Sequence, residues 1–460
     1  MAEPATVTTT AETSRTEPGA WANDYAWQPG MKLRPIPPGK DQFGDLWMHF
    51  RRNLFGEWID VEAEAAPTDQ TRMFDDHMWQ GDEFMDPVAD MFQRLGHKTG
   101  RQLFERALAD GIDSIADAPP ELVRLFKKYE KAPDWYDPAR GAIGQSKMKA
   151  ASMVGAIGVM GFATFDTLMN TDVSASTGAT GRFRTEPVRR FAESGKYISL
   201  ILSSQAVSAE PAGTEVFRVA MRVRLMHALA RTGLKRRWGE EHYERHGNPI
   251  SNSATCGFME AFLLFQLMDH VFGRKCTEKD LDDAWHFASY WLYIVGVAEE
   301  LIPRNALDAI RNLDYLVARD GGPSEWRQEM VEVLVGEQSV YTGMAQKMTV
   351  WILASTGNVT FGPVLTTELF AGTSLSEYDH ERAGRQLRRA SKMTVRLSML
   401  LDRLPGRGAL QKRGWGAFDI LLWVTFGVIE RMAAKQGIDT DFQGHDQSGR
   451  GNHFGAPRVT

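Results

Sequence analysis

From about residue 41 to residue 435, nearly every strong apolar pattern in this 460-residue chain repeats at the helical period of about 3.6 residues. No convincing β-hairpin run and no fixed-length repeat interrupts it. An all-α fold follows, and the chain is long enough to bury a large core. The segment ELVRLFKKYEK predicts an amphipathic helix over 120–131. A second is expected over 146–169, where Gly155, Gly158 and Gly161 recur at three-residue steps and would let a neighbour approach closely. Pro187 suits the first turn of a helix running to about Val207, with Thr185 as its cap. The next runs from Thr214 to Thr232, closed by Gly233 at the C′ position. Further helices are expected over 254–273, 279–298, 323–336, 338–355, 379–403 and 415–435.

Residues 1–40 are rich in Thr, Ala, Glu, Pro and Gly and read as a disordered leader, and residues 436–460 read as a disordered tail. One all-α domain over 41–435 lies between them. The net charge of −6 with interspersed signs excludes a nucleic-acid binder. Cys256 and Cys276 are too few for a disulfide framework or a thiolate metal site. The N-terminal stretch shows no export signal, so a cytoplasmic location is expected. The longest apolar run, Ala150 to Phe165, reaches only about 24 Å as a helix, short of a hydrocarbon slab of about 30 Å.

The most informative chemistry lies in MRVRLMHALAR, where Arg224, His227 and Arg231 share a narrow sector of one apolar helix. The apolar line Val216, Val219, Ala220, Val223, His227 and Ala230 gives His227 a core position. A core histidine bonded to a carbonyl is one reading. The other is a planar anionic ligand such as haem, with His227 on the iron and the arginines on the propionates, since no acid stands three or four residues from Arg224 or Arg231 to neutralise them. One helix earlier, Arg190 and Ser194 stand four residues apart and share a face with Tyr197 and Ile201. If that face roofs a cofactor, Arg190 would stabilise a developing peroxide charge and Ser194 would donate to bound dioxygen.

Taken in order, Arg190 and Ser194, then RLMHALAR, then HGNPISNSATCGF, then YWLYIVGVAEELIP resemble the rubber-oxygenase and latex-clearing-protein family of haem proteins, which includes the MpaB-type oxygenases. The resemblance spans roughly residues 140–340 and rests on Arg224, His227 and Arg231, the Gly247–Pro249 loop and the Gly296–Pro303 segment. It implies a globin-like helical core with additional N- and C-terminal helices. That core would hold haem b, with His227 as proximal iron ligand and Arg224 and Arg231 as its close neighbours. Arg190 would match the distal arginine, Ser194 stands where a threonine is usual, and Thr255 matches a hydroxyl residue following the Gly-x-Pro loop. Glu193 occupies the place of a lysine able to cap the distal iron site. The family's rubber-cleaving members also use a distal glutamate as base; no acid stands between Val173 and Thr185 here, which leaves Asp166 or Asp172 as candidates.

The expectation is therefore a haem-dependent oxygenase that takes dioxygen and an apolar, unsaturated, isoprenoid-like substrate, with oxidative C=C cleavage as one reaction. Two other readings compete. A non-haem iron site would draw on His242 and His246 in EEHYERH, beside Glu241 and Glu244, and on Asp283 with His286. A non-enzymatic lipid-binding protein, or peripheral membrane contact, would use Arg403, Arg407, Lys412 and Arg413 ahead of the apolar segment that follows.

Overall fold

The computed structural model describes residues 27–41, 44–63, 68–179, 187–337 and 341–401, with single positions at 181, 339, 427, 431 and 434. The described residues form helices joined by short loops, with no strand among them, so the fold is all-α. The N-terminal third holds α1 (Met48–Phe55), α2 (Asp69–His77), α3 (Asp86–Leu95), α4 (His97–Asp110) and α5 (Pro120–Tyr129). The middle holds α6 (Pro138–Lys149), α7 (Met153–Met169), α8 (Thr171–Ala179), α9 (Pro187–Ile201), α10 (Glu215–His246), α11 (Asn252–Glu260), α12 (Leu264–Val271) and α13 (Glu278–Ile294). After these come α14 (Ala306–Ala318), α15 (Arg327–Leu334), α16 (Gly343–Thr356), α17 (Pro363–Phe370) and α18 (His380–Leu401).

The helix expected over 146–169 is the end of α6 followed by α7. The break has a local cause: Ser152 adopts extended backbone and its hydroxyl accepts from Gly155 N at 3.1 Å, so a new helix starts there. Close approach along the glycine face is observed. A Cβ at Gly155 would overlap the Asp269 carboxylate on α12, and one at Gly161 would overlap Thr356 on α16. The expected stretch 254–273 likewise divides into α11, a 3-10 turn and α12. Of the helix expected over 415–435 only positions 427, 431 and 434 are described, all three helical, and the cap at Thr185 falls outside the described residues.

The largest departure is α10. It starts as expected, with the Thr214 hydroxyl accepting from Phe217 N at 3.3 Å, but it passes through Gly233 and ends at His246, with a kink at Gly239 (φ 83°). An interior glycine costs a helix only about 1 kcal/mol, and burial of Thr232, Leu234 and Lys235 on either side of Gly233 offsets that.

The expected leader also ends sooner, because residues 27–40 form a strap on the body. Trp27 N donates to Gln80 Oε1 at 3.0 Å, Arg34 N to Asp76 Oδ1 at 2.7 Å, and Trp79 Nε1 to the Pro35 carbonyl at 2.7 Å. Prolines pre-set this extended segment and lower the entropy lost on ordering it.

The core centres on aromatic packing between α1, α7 and a π-helical turn at Gly357–Phe361. The Phe361 ring stacks on Phe165 at 4.0 Å and on Phe50 at 5.0 Å, with Trp47 edge-on at 5.7 Å. Among the described residues, no helix is long and apolar enough to cross a membrane.

Candidate functional site

The buried face of α10 follows the first half of the expected apolar line, through the buried Val216, Val219 and Ala220, and departs from its second half. Arg224, Ala228 and Arg231 face inward, while Val223, Met226, His227 and Ala230 are half-buried on the adjoining face. The helical period accounts for this, since positions seven apart differ by only about 20° whereas His227 stands about 40–60° away from both arginines. The arginines thus point into the protein, and the imidazole sits on the shoulder beside them.

Each arginine meets an aspartate that comes from another element. Arg224 forks onto Asp82, with Nε to Oδ2 and Nη2 to Oδ1 both at 2.8 Å, and its remaining Nη1 donates to the Ile294 carbonyl at 3.1 Å. The guanidinium also stacks 4.1 Å from the ring centroid of Tyr129. Burial alone would favour loss of the Arg224 proton, but Asp82 outweighs it and holds the group charged. Burial meanwhile pushes the Tyr129 phenol up to about 12. Arg231 donates from Nη1 to Asp86, and from Nε and Nη2 to the Ile250 carbonyl at 3.1 and 2.8 Å. Both pairs are almost fully buried. The expectation that these arginines await an anionic ligand is therefore corrected, because their donors are taken within the protein.

The same contacts draw three separate sequence motifs together. Arg224 reaches the end of α13, and Arg231 reaches the loop after the Gly-x-Pro segment. Asn252, just after the Gly-x-Pro loop, ties that segment to the Gly296 segment and to Gly81: Nδ2 donates to the Gly81 and Gly296 carbonyls at 3.0 and 2.9 Å, and Oδ1 accepts from Ala298 N at 2.9 Å. Gly296 (φ 89°) leaves room for the Arg224–Asp82 pair, since a Cβ there would overlap both partners. Gly247 (φ 74°) ends α10, and a Cβ on it would stand 2.5 Å from the Met78 carbonyl. Asp82 and Asp86 were the partners that sequence reasoning missed. Their signal is the four-residue spacing in GDEFMD, about 140 residues before the arginines they neutralise.

Other expected site residues are placed as follows. Arg190 and Ser194 lie on α9, which packs against α10; Ser194 is exposed, and the Arg190 side chain falls outside the described residues. Glu193 is buried and paired with Arg189 at 3.0 Å. Tyr197, on the same helix, carries a buried hydroxyl with no hydrogen-bond partner among the described residues, within electrostatic reach of Arg224. Burial pushes that phenol well above its ordinary range. The Thr255 hydroxyl donates to the Ser251 carbonyl one turn back at 3.0 Å, and its lone pairs remain to accept.

Both candidate acids have other partners within the fold. Asp172 pairs with Lys40 at 2.6 Å, and the Lys40 charge reaches His242 and His246, about four turns further along α10. Asp166 interacts with Asp320, and burial followed by that like charge pushes it up to about 7.

The residues proposed for a carboxylate and histidine metal site have other engagements. His242 lies against Trp238 and His246, with ring centroids 4.6 and 4.5 Å apart, and burial with neighbouring cations lowers its pKa to about 4. His286 stacks on Tyr136 and takes the Asp137 N–H at 3.0 Å, while Asp283 bonds Arg140 and Lys279. Among the described residues no group of three or more His, Cys, Asp or Glu is placed to hold a metal. Arg403, Arg407, Lys412 and Arg413 lie outside the described residues.

A haem can be tested against these residues. A half-buried imidazole among Val223, Met226 and Ala230 suits a residue that would hold the iron of an apolar macrocycle, and the Tyr197 hydroxyl, unpartnered among the described residues, is a polar group that a ligand would satisfy. The fit covers His227, while the propionate role of Arg224 and Arg231 does not fit.

The catalytic-domain family described as ER-bound oxygenase mpaB/B'/rubber oxygenase matches residues 148–424, a longer stretch than the motifs alone marked out. Among solved structures, latex clearing protein LCP in its closed state aligns with a TM-score of 0.47 at 16% identity, covering 85% of this chain and 96% of that one. No curated protein matches. With more than half of its length matched, the chain belongs to the MpaB and rubber-oxygenase catalytic-domain family, a family of oxygenases.

Proposed function

We propose that the protein is a haem b oxygenase that uses dioxygen to oxidise an apolar, unsaturated substrate of isoprenoid type, with cleavage of a carbon–carbon double bond as the reaction. The observation that carries this reading is the setting of His227. It is a half-buried imidazole on an otherwise apolar stripe, on a helix fixed in position by two buried ion pairs. Family membership supports the oxygenase chemistry.

In this reading His227 would hold the haem iron, and the haem, when bound, would supply the redox chemistry that activates dioxygen. Arg224 and Arg231 act one step back. By bonding Asp82, Asp86 and the Ile250 and Ile294 carbonyls, they fix the rotation of α10 and hence the direction of the His227 ring. On α9, Ser194 and Arg190 stand one and two turns before Tyr197. In this reading Arg190 and Ser194 would be the α9 residues that polarise dioxygen. Thr255 supplies a further acceptor.

The test is the absorption spectrum of the purified protein, oxidised, reduced and with carbon monoxide. A Soret band at near-stoichiometric haem is expected, largely lost in His227→Ala while helicity is retained. Full haem retention in that variant refutes the ligand assignment, and iron without haem absorbance refutes the cofactor.

A further inference from the structure

Two helices remote from α10 carry an outward face that the oxygenase reading does not use. α16 and α18 pack antiparallel: Trp351 Nε1 donates to Gln386 Oε1 at 3.0 Å, and in the π-helical turn just past the end of α16, Asn358 Nδ2 lies 3.2 Å from Nδ1 of His380, the first residue of α18. Continued the other way, this register sets Met344 level with Met393, and Met348 level with Arg389. All of these side chains are exposed: Met344 78%, Met348 58%, Met393 71%, Leu397 55% and Leu400 58%. Large apolar side chains gathered on one surface mark a site of interaction.

Charge surrounds them. On α18 the inward positions are Ala383, Leu387, Ser391 and Val395, and the opposite sector, about 60° wide, holds Arg385, Arg389, Lys392 and Arg396. Lys347 adds a cation from α16, a helix without an acid, while α18 contains only Glu381, which pairs with Arg385. Lys347, Arg389, Lys392 and Arg396 form no ion pair among the described residues. The sequence from Arg403 to Arg413 adds four more cations and no acid.

We infer that the α16–α18 face docks onto an anionic phospholipid surface. A cationic stripe beside exposed Met and Leu is the arrangement that binds such a surface, with the ammonium and guanidinium groups at the headgroups and the apolar side chains in the acyl boundary. A second copy would set these cations against themselves, which disfavours a symmetric dimer through this face. The inference stands apart from the haem reading, since lipid binding and the Soret band are independent measurements. It adds a consequence to that reading, because an apolar substrate partitions into the same bilayer.

The experiment is flotation of the full chain with vesicles of phosphatidylcholine alone or mixed with phosphatidylserine. Binding to the mixed vesicles only is expected, declining with salt. The triple variant Arg389→Glu, Lys392→Glu, Arg396→Glu should lower partitioning by at least about 100-fold, at roughly fivefold per cation removed. Leu397→Ser with Leu400→Ser should lower it by about tenfold. Because these positions are exposed, the melting temperature should not move, which separates loss of docking from unfolding. The inference is overturned by absence of binding to the mixed vesicles, or by equal binding to both vesicle types that ignores charge reversal. It is equally overturned by a solution dimer that the same substitutions dissolve while vesicles are not bound.

Discussion

Arg224 and Asp82 meet through two parallel hydrogen bonds of 2.8 Å in the interior of the protein, 142 residues apart in the chain. The relationship fixes α10 against the loop before α3, and it explains how a helix otherwise packed by Val, Ala and Leu tolerates a guanidinium on its buried face.

Removal of one partner should be far worse than removal of both. Asp82→Ala leaves a buried, uncompensated Arg224 and is expected to cost about 3–5 kcal/mol. Adding Arg224→Met should recover much of that loss. Denaturant titrations of the two single variants and the double variant check this; additive single effects would show that the pair is not coupled.

Asn252 should matter through backbone groups alone. Asn252→Ala strands the Gly81 and Gly296 carbonyls and the Ala298 amide, at an expected cost of about 2–4 kcal/mol. Hydrogen exchange at Ala298 is the direct readout, and unchanged protection there would contradict the role given to the side chain.

Gly247→Ala should destabilise the protein by about 1–3 kcal/mol, because the new methyl meets the Met78 carbonyl and the backbone keeps a positive φ. Gly213→Ala, also at positive φ but in open space, isolates the backbone share of that cost. Equal losses at the two sites would remove the steric argument.

Asp166 gives stability a pH dependence of defined sign. Burial, and then the Asp320 charge, push its carboxyl up to about 7, whereas an unfolded chain titrates near about 4. Between those values the folded state holds the extra proton, so this group's contribution falls as pH rises from about 4 to about 7 and then levels off. Asp166→Asn should therefore stabilise the protein by about 2–3 kcal/mol more at about pH 8 than at about pH 5. Urea midpoints at the two pH values decide it, and a shift identical at both would exclude the titration.

His227→Gly should lose haem and regain a Soret band when imidazole is added, because a free ring can occupy the space left by the side chain. Arg231→Lys should instead retain His227 but loosen it, since one ammonium cannot reproduce bonds to both Asp86 and the Ile250 carbonyl. Its expected signature is lower haem affinity. If imidazole restores nothing to His227→Gly, axial ligation by His227 fails.

The fold class, most of the helices named from periodicity and the family were legible in the sequence because each is written locally. A 3.6-residue apolar repeat needs no partner to be recognised, and RLMHALAR, the Gly-x-Pro loop and GVAEELIP stand in an order that reads without coordinates. The continuation of α10 through Gly233 was not legible, since a glycine weakens a helix by an amount that burial on either side reverses. The role of the arginines was hidden for a related reason. Their neutralising acids lie beyond the i±3 and i±4 range, in GDEFMD, upstream even of the family-matched region.

Sequence by itself thus determined that α10 carries a histidine between two arginines on an apolar helix, within an oxygenase family. Only the tertiary structure decided which of those charges remain for a ligand. Ion pairing depends on which carboxylate the fold brings within about 3 Å of a guanidinium, and periodicity along one helix says nothing about residues contributed by another. The fold brought Asp82 and Asp86 to Arg224 and Arg231, leaving His227 half-buried on the shoulder of α10.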